Sequence, residues 1–115
     1  MVTPRSSYVP DRGDLIWITF DPQAGHEQAG RRPALVLSPQ SYNAKAGLAV
    51  ICPITNRTKG YSFEVPLPAG LSIGGVVLAD HVKSLDWIAR RAEFADDAPA
   101  AVVTEVARRL SLLIN

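Results

Sequence analysis

Leu15-Ile16-Trp17-Ile18-Thr19-Phe20, stopped by Asp21-Pro22, is the stretch that decides the fold class of this chain. β-branched and aromatic side chains suit a pleated, half-buried surface, and the Asp-Pro turn signal ends the run, so it reads as a strand. It is apolar on both faces. That places it in the interior of a barrel or sandwich, where neither face of a strand meets solvent.

Downstream, residues 21–32 form a polar, glycine-containing connection, and the apolar run 33–37 follows it. Twelve residues is long for a connection in so small a domain, and long loops carry function or mobility more often than short ones. Ser38-Pro39 is a helix start for a short helix over 40–46, which Gly47 ends. Residues 48–54, 63–67, 75–82 and 85–89 read as further short strands between glycine, proline or polar turns, together a small antiparallel barrel. Asp96-Asp97-Ala98-Pro99 opens a C-terminal amphipathic helix. Its stripe of Val102, Val103, Val106, Leu110, Leu113 and Ile114 is expected to pack on the barrel. Upstream, residues 1–10 carry two prolines, two serines and little apolar pattern, and read as a loose arm before a single domain over 11–115.

The 115 residues suffice for one core. Twelve Lys and Arg stand against eleven Asp and Glu, so no net basic field argues for nucleic acid. A basic surface must come from local pairs such as Arg31-Arg32, Arg57 with Lys59, Arg90-Arg91 and Arg108-Arg109. Cys52 is the only cysteine, which excludes an intrachain disulfide, and its apolar neighbours suggest a buried thiol. No run approaches the roughly 20 apolar residues of a membrane span, and Met1-Val2-Thr3-Pro4-Arg5 does not resemble a signal peptide. A soluble cytoplasmic protein is expected.

No metal site stands out, since the two histidines lie far apart in sequence and the lone cysteine sits in an apolar strand. Metal-independent chemistry, with no cofactor, is therefore expected. Serine-hydrolase and phosphate-loop motifs are absent. What remains is a polar set from the long loop and nearby strand ends: His26, Glu27, Gln28, Arg31, Arg32, Thr55, Asn56, Arg57 and Lys59. By pattern alone this is also the composition of many solvated loops.

Tyr8-Val-Pro-Asp-Arg-Gly-Asp-Leu-Ile-Trp17, Phe20-Asp21-Pro22, Glu27-Gln28-Ala29-Gly30, Arg32-Pro33-Ala34, Val36-Leu37-Ser38-Pro39, Tyr42-Asn43, Lys59-Gly60-Tyr61, Phe63-Glu64-Val65 and Leu78-Ala79-Asp80 with Val82-Lys83-Ser84 occur in this order. With them the sequence resembles the MazF/PemK family of toxin-antitoxin ribonucleases. The resemblance covers residues 8 to about 90; the C-terminal helix shares only length and amphipathic character. It implies an SH3-like barrel, a homodimer, single-stranded RNA as substrate and a MazE-like antitoxin as partner. By position, the family's catalytic glutamate falls on Glu27, its arginine on Arg32 and its threonine on Thr55. The family's glutamine before Val-Lys-Ser is His81 here, which bears on base preference.

RNA carries its own nucleophile, so cleavage needs only removal of the 2′-OH proton, stabilisation of the phosphorane and a proton for the leaving 5′-oxygen. Glu27 suits the base, Arg32 offers a planar fork to the phosphoryl oxygens, and Thr55 can donate one further hydrogen bond. The expected ends are a 2′,3′-cyclic phosphate and a 5′-hydroxyl. His26 or His81 matches the leaving-group acid better than arginine, although a loop histidine is equally a solvated one. Phe20, His26, Gln28, Lys59, Asp80, His81 and Lys83 are candidate RNA contacts, Phe20 as a stacking ring. The bland alternatives are that Arg32 braces its own loop, that Thr55 merely ends a strand, that Asp80 and Lys83 contact each other, and that Trp17 and Trp87 are core or dimer-interface aromatics. A gyrase-binding toxin of the CcdB type shares the fold and is the alternative function. It depends on a C-terminal tryptophan-glycine-isoleucine end, whereas this sequence reads Ser111-Leu-Leu-Ile-Asn115.

Overall fold

A computed structural model describes residues 8–20 and 30–115. Its elements run β1 (Asp14–Phe20), β2 (Gly30–Val36), α1 (Gln40–Ala46), β3 (Leu48–Thr55), β4 (Glu64–Pro66), β5 (Val76–Leu78), a 3₁₀ turn at Ala79–His81, β6 (Lys83–Asp86), β7 (Glu93–Asp97) and α2 (Ala100–Ile114). Strands neighbour one another in the order β4-β5-β3-β2-β1-β7, with β6 also on β3, and every pairing is antiparallel. The mainly-β antiparallel class expected from the sequence is what is found. Among the described residues the sheet stays open, because no ladder joins β4 to β7.

β3 is the strand on which the sheet bends. One edge pairs with β2, whereas the other is shared: residues 48–51 pair with β6, and Ile54 and Thr55 pair with β5. Pro53, which has no N–H to donate, sits between those two ladders, where no bond is lost. Side chains alternate across the sheet, so each strand feeds two cores. Leu15, Leu35 and Cys52 lie side by side in register and join Ile54, Val77 and the Val102, Val103 and Val106 face of α2. Ile16, Ile18, Phe20, Ala34, Val36, Ala49 and Ile51 point the other way, under Tyr8, Leu85 and Trp87. The Ile16, Ile18 and Phe20 face of β1 is covered throughout, whereas the other face is buried only at Leu15 and opens at Trp17.

α1 ends at Gly47 as expected, with φ +70° and its N–H on the Asn43 carbonyl. Ser38 does not cap it. Pro39 occupies the cap position, and the Ser38 hydroxyl instead donates to Oδ1 of the buried Asn43 (2.6 Å) while accepting the Val50 N–H (2.8 Å). Asn43 Nδ2 donates to the carbonyls of Pro10 (2.8 Å) and Ser38 (3.0 Å). Its side chain therefore joins the N-terminal segment, the β2–α1 link and β3. The arm is not loose up to residue 10: Pro10 is buried, and the Tyr8 hydroxyl donates to Asp14 (2.7 Å). Burial and that carboxylate push the Tyr8 pKa far above the usual phenol range.

Further expectations change: the run at 75–82 gives only β5 before the 3₁₀ turn, and that at 85–89 gives the end of β6 and then a turn. β7 occupies residues that read as the approach to the C-terminal helix, and α2 begins at Ala100 after Pro99. The α2 stripe is covered only in its first half, since Leu113 and Ile114 are exposed along with Leu112.

Candidate active site cleft

Four segments meet around a cleft of about 280 Å³: Trp17 of β1, Arg31, Arg32 and Pro33 of β2, Ile54, Thr55 and Asn56 at the end of β3, and residues 72–74. Cross-strand register sets the first two, with Trp17 opposite Pro33, Ile18 opposite Arg32 and Thr19 opposite Arg31. Thr55 is the last residue of β3 and faces Val76. Its Oγ1 accepts the Arg57 N–H (3.1 Å), which leaves the hydroxyl proton to be donated elsewhere.

The backbone around Thr55 is held from two sides. Gly75, at φ +109°, lies so close that a Cβ built on it would sit 2.3 Å from the Thr55 carbonyl oxygen. On the other side, the carboxylate of buried Glu64 accepts the N–H groups of Lys59 (3.0 and 3.2 Å) and Gly60 (2.9 Å), tying down the loop after Thr55. Arg109 Nη1 donates to the Glu64 carbonyl (3.2 Å), and Arg109 is itself gripped by Glu105 of the same helix, so α2 anchors this loop. Arg108 and Arg109 hold the Glu105 carboxyl down at about 2.

The opposite wall is fixed by β7. Asp96 accepts the Ser72 N–H (2.8 Å), Ser72 Oγ donates to the Ala95 carbonyl (3.2 Å), and Ile73 is buried. Backbone N–H groups of Ser72 and Asp97 keep the Asp96 carboxyl below its ordinary pKa. Among the described residues no three His, Cys, Asp or Glu side chains converge to hold a metal ion, and no helix is long and apolar enough to cross a membrane.

Residues 11–114 match the family model described as PemK-like, MazF-like toxin of type II toxin-antitoxin system. The chain belongs to this family. It is 59% identical over 87 residues to the endoribonuclease toxin MazF of Escherichia coli K12, covering 76% of this chain and 78% of that one. Among solved structures it is similar to MazF of Deinococcus radiodurans, with TM-score 0.90 and 61% identity over 94% of this chain and 98% of that one. A MazE-MazF structure from the same organism matches with TM-score 0.85 and 54% identity over 95% and 98%.

For a MazF-like chain the sequence singled out ten site residues, and the cleft gathers two of them, Arg32 and Thr55. Glu27, His26 and Gln28 lie outside the described residues. Phe20 is corrected: it is 3% exposed in the second core, so its ring is not a stacking platform. Lys59, Asp80, His81 and Lys83 do not line the cleft. The Lys59 ammonium lies 5.9 Å from the Tyr61 ring centroid, and His81 Nε2 is 3.9 Å from Asp80 Oδ1. Trp87 is structural, its indole N–H donating to the Asn43 carbonyl (2.9 Å).

Two cleft residues were read otherwise from sequence. Trp17 is 40% exposed on the cleft, so of the two places expected for it, core or dimer interface, the core is excluded. The signal was present: with Ile16, Ile18 and Phe20 on one face, period two puts Trp17 on the other. Arg31 carries a carboxylate brace that the sequence did not suggest for it, its Nη2 lying 2.6 Å from Glu93 Oε1. In a run of two arginines only the register separates them.

Proposed function

We propose that this cleft is the cleavage site of an endoribonuclease toxin that cuts single-stranded RNA in the cytoplasm and is neutralised by an antitoxin. Family membership supports the activity, and the observation that carries the site is that Arg32 and Thr55 line one cleft. Arg32 supplies a planar, permanently charged fork to the non-bridging oxygens of the scissile phosphate, and the Thr55 hydroxyl adds a donor where charge develops. Glu27, carried by the chain segment between β1 and β2, takes the 2′-OH proton. The 2′-oxygen attacks phosphorus, the 5′-oxygen leaves with a proton, and the ends are a 2′,3′-cyclic phosphate and a 5′-hydroxyl. Because the nucleophile is part of the substrate, no metal is required to generate one. His26, next to Glu27 in sequence, is the proton source for the leaving oxygen, since His81 stands outside the cleft.

The names of the relatives pair MazF with MazE in Deinococcus radiodurans. By the same reasoning a MazE-like antitoxin occupies the cleft of this toxin, an acidic and apolar tail covering Arg32. The chain acts as a homodimer. An apolar groove of about 260 Å³ between Leu37, Val50, Ala107, Leu110 and Ile114, together with exposed Leu112 and Leu113 on the same helix, supports a second copy as its cover.

The test is incubation of a long mixed RNA with pure protein in EDTA, followed by mapping of 5′-hydroxyl ends. Discrete ends from the wild type, and about 100-fold fewer from a folded Arg32→Ala variant, are expected for loss of one charged transition-state donor. Uncut RNA at micromolar protein, or undiminished cutting by that variant, overturns the assignment.

A further inference from the structure

Arg31 lines the cleft beside Arg32, but its guanidinium is engaged by the protein. Nη1 donates to Thr19 Oγ1 (3.0 Å) and the Arg90 carbonyl (3.4 Å), and Nη2 donates to the Arg91 carbonyl (2.7 Å) and Glu93 Oε1 (2.6 Å). A guanidinium has five N–H groups, so at most one is left over. Such a side chain cannot also grip a phosphate in a fork.

Its acceptors are rigid. Residues 86–92 form a turn held by Arg90 N–H on the Asp86 carbonyl, Arg91 N–H on the Ile88 carbonyl and Ala92 N–H on the Trp87 carbonyl. Asp86 Oδ1 accepts the N–H groups of Ile88 and Ala89 as well. Arg91 takes φ +54°, the only non-glycine positive φ among the described residues, and its carbonyl is one that Arg31 grasps. The ladder between β1 and β7 reaches only to Trp17 and Glu93 on this side. Beyond it, β1 meets the turn through Thr19 N–H on the Arg90 carbonyl (3.0 Å) and Arg90 Nη1 on the Thr19 carbonyl (3.2 Å). Arg31 reaches across β1 and fastens β2 to the same turn.

We propose that Arg31 is a positioning residue for RNA cleavage, its four-acceptor clamp fixing the end of the β1–β2 ladder so that Arg32 and Trp17 stand at a set place in the cleft. This rests on the reading of the cleft as the cleavage site. The clamp works by geometry. Lysine keeps the charge but is a point donor and cannot span acceptors on Thr19, the turn and Glu93 together. A misplacement of about 1 Å at a donor is enough to cost on the order of 100-fold in rate.

The experiment is steady-state cleavage of a short RNA by wild type, Arg31→Lys and Arg31→Gln well below their melting temperatures, with the salt dependence of KM. Both variants should lose 10-fold or more in kcat with KM within threefold and an unchanged salt slope. Nitrogen-15 spectra of the free proteins should show the Trp17 indole and Arg32 Nε–H signals shifted, with Trp87 in place. If either variant fails to fold, Thr19→Val with Glu93→Gln loosens the same clamp and should lower kcat in the same way. A raised KM with a smaller salt slope and intact kcat makes Arg31 a substrate ligand and overturns the proposal. Arg31→Lys with wild-type kcat, or with unmoved Trp17 and Arg32 signals, overturns it too. The spectra need no substrate, so an inactive wild type with shifted signals defeats the cleavage reading while leaving the clamp standing.

Discussion

Replacing Gly75 by alanine tests whether the Thr55 backbone depends on close contact from the β4–β5 segment. Two costs separate at three glycines. Gly74 has no positive φ and nothing within 4 Å of an added Cβ, Gly70 has φ +96° and the same open space, and Gly75 combines φ +109° with the 2.3 Å approach to the Thr55 oxygen. Gly74→Ala should therefore change stability little, and Gly70→Ala should cost only backbone strain, about 1–3 kcal/mol. Ordinary Cβ contacts begin near 3.4 Å, so at Gly75 the Thr55 peptide must retreat by about 1 Å. Overpacking of that kind adds about 1–3 kcal/mol to the strain. At about 4 °C per kcal/mol for a domain of this size, Gly70→Ala should melt roughly 4–12 °C below wild type and Gly75→Ala clearly lower still. Thermal unfolding followed by circular dichroism gives the comparison. Cleavage at a temperature where all three are folded should fall on the order of 100-fold for Gly75→Ala alone, because only there does Thr55 move. Equal melting temperatures and equal activity for Gly70→Ala and Gly75→Ala would refute the reasoning.

Asn43→Ala should cost roughly 3 kcal/mol or more, seen as a lower urea midpoint, since it strands the Pro10 and Ser38 carbonyls and the Ser38 hydroxyl in the core. Burial first, then the Asp80 charge, pushes the Cys52 thiol up to about 12, so a disulfide reagent at pH 8 should label native protein at least 100-fold more slowly than urea-unfolded protein. Glu105, held at about 2 against an ordinary 4.5, contributes stability that is complete above pH 4.5 and lost as pH falls toward 2. Melting temperatures measured from pH 6 down to pH 2.5 should fall less steeply in Glu105→Gln.

The strands β1 to β5 were legible from short apolar runs bounded by turn residues, whereas β6, Lys83-Ser84-Leu85-Asp86, meets the run read at 85–89 only at its end, because residues 86–92 form a hydrogen-bonded turn. β7 was not legible: Glu93-Phe94-Ala95-Asp96-Asp97 carries three carboxylates, and it is a strand because β1 offers an edge to pair with, with a register shift between Leu15 and Ile16. α2 was legible as an amphipathic helix, but its stripe does not say where burial stops, between buried Val106 and exposed Leu113. In the site, resemblance placed Arg32 and Thr55, and the cleft joins them. Phe20 misled because a strand-end aromatic reads as accessible until the opposite core is known. Arg31 was invisible as a brace, since its acceptors are carbonyls and a carboxylate about sixty residues away.

Several polar contacts outside the ladders fasten the walls of the cleft. When the substrate brings its own nucleophile, the protein's contribution is chiefly electrostatic, and donors stabilise developing charge only if they are fixed beforehand. Each wall of the cleft has a separate fastening to a distant element. Thr55 is pressed by Gly75, with the loop after it strapped by Glu64 and Arg109; residues 72–74 hang from Asp96; Arg31 ties the β2 wall to the turn before β7. Loss of one fastening should therefore disturb the side chain it serves more than the others, so kcat is the quantity in which these residues declare themselves.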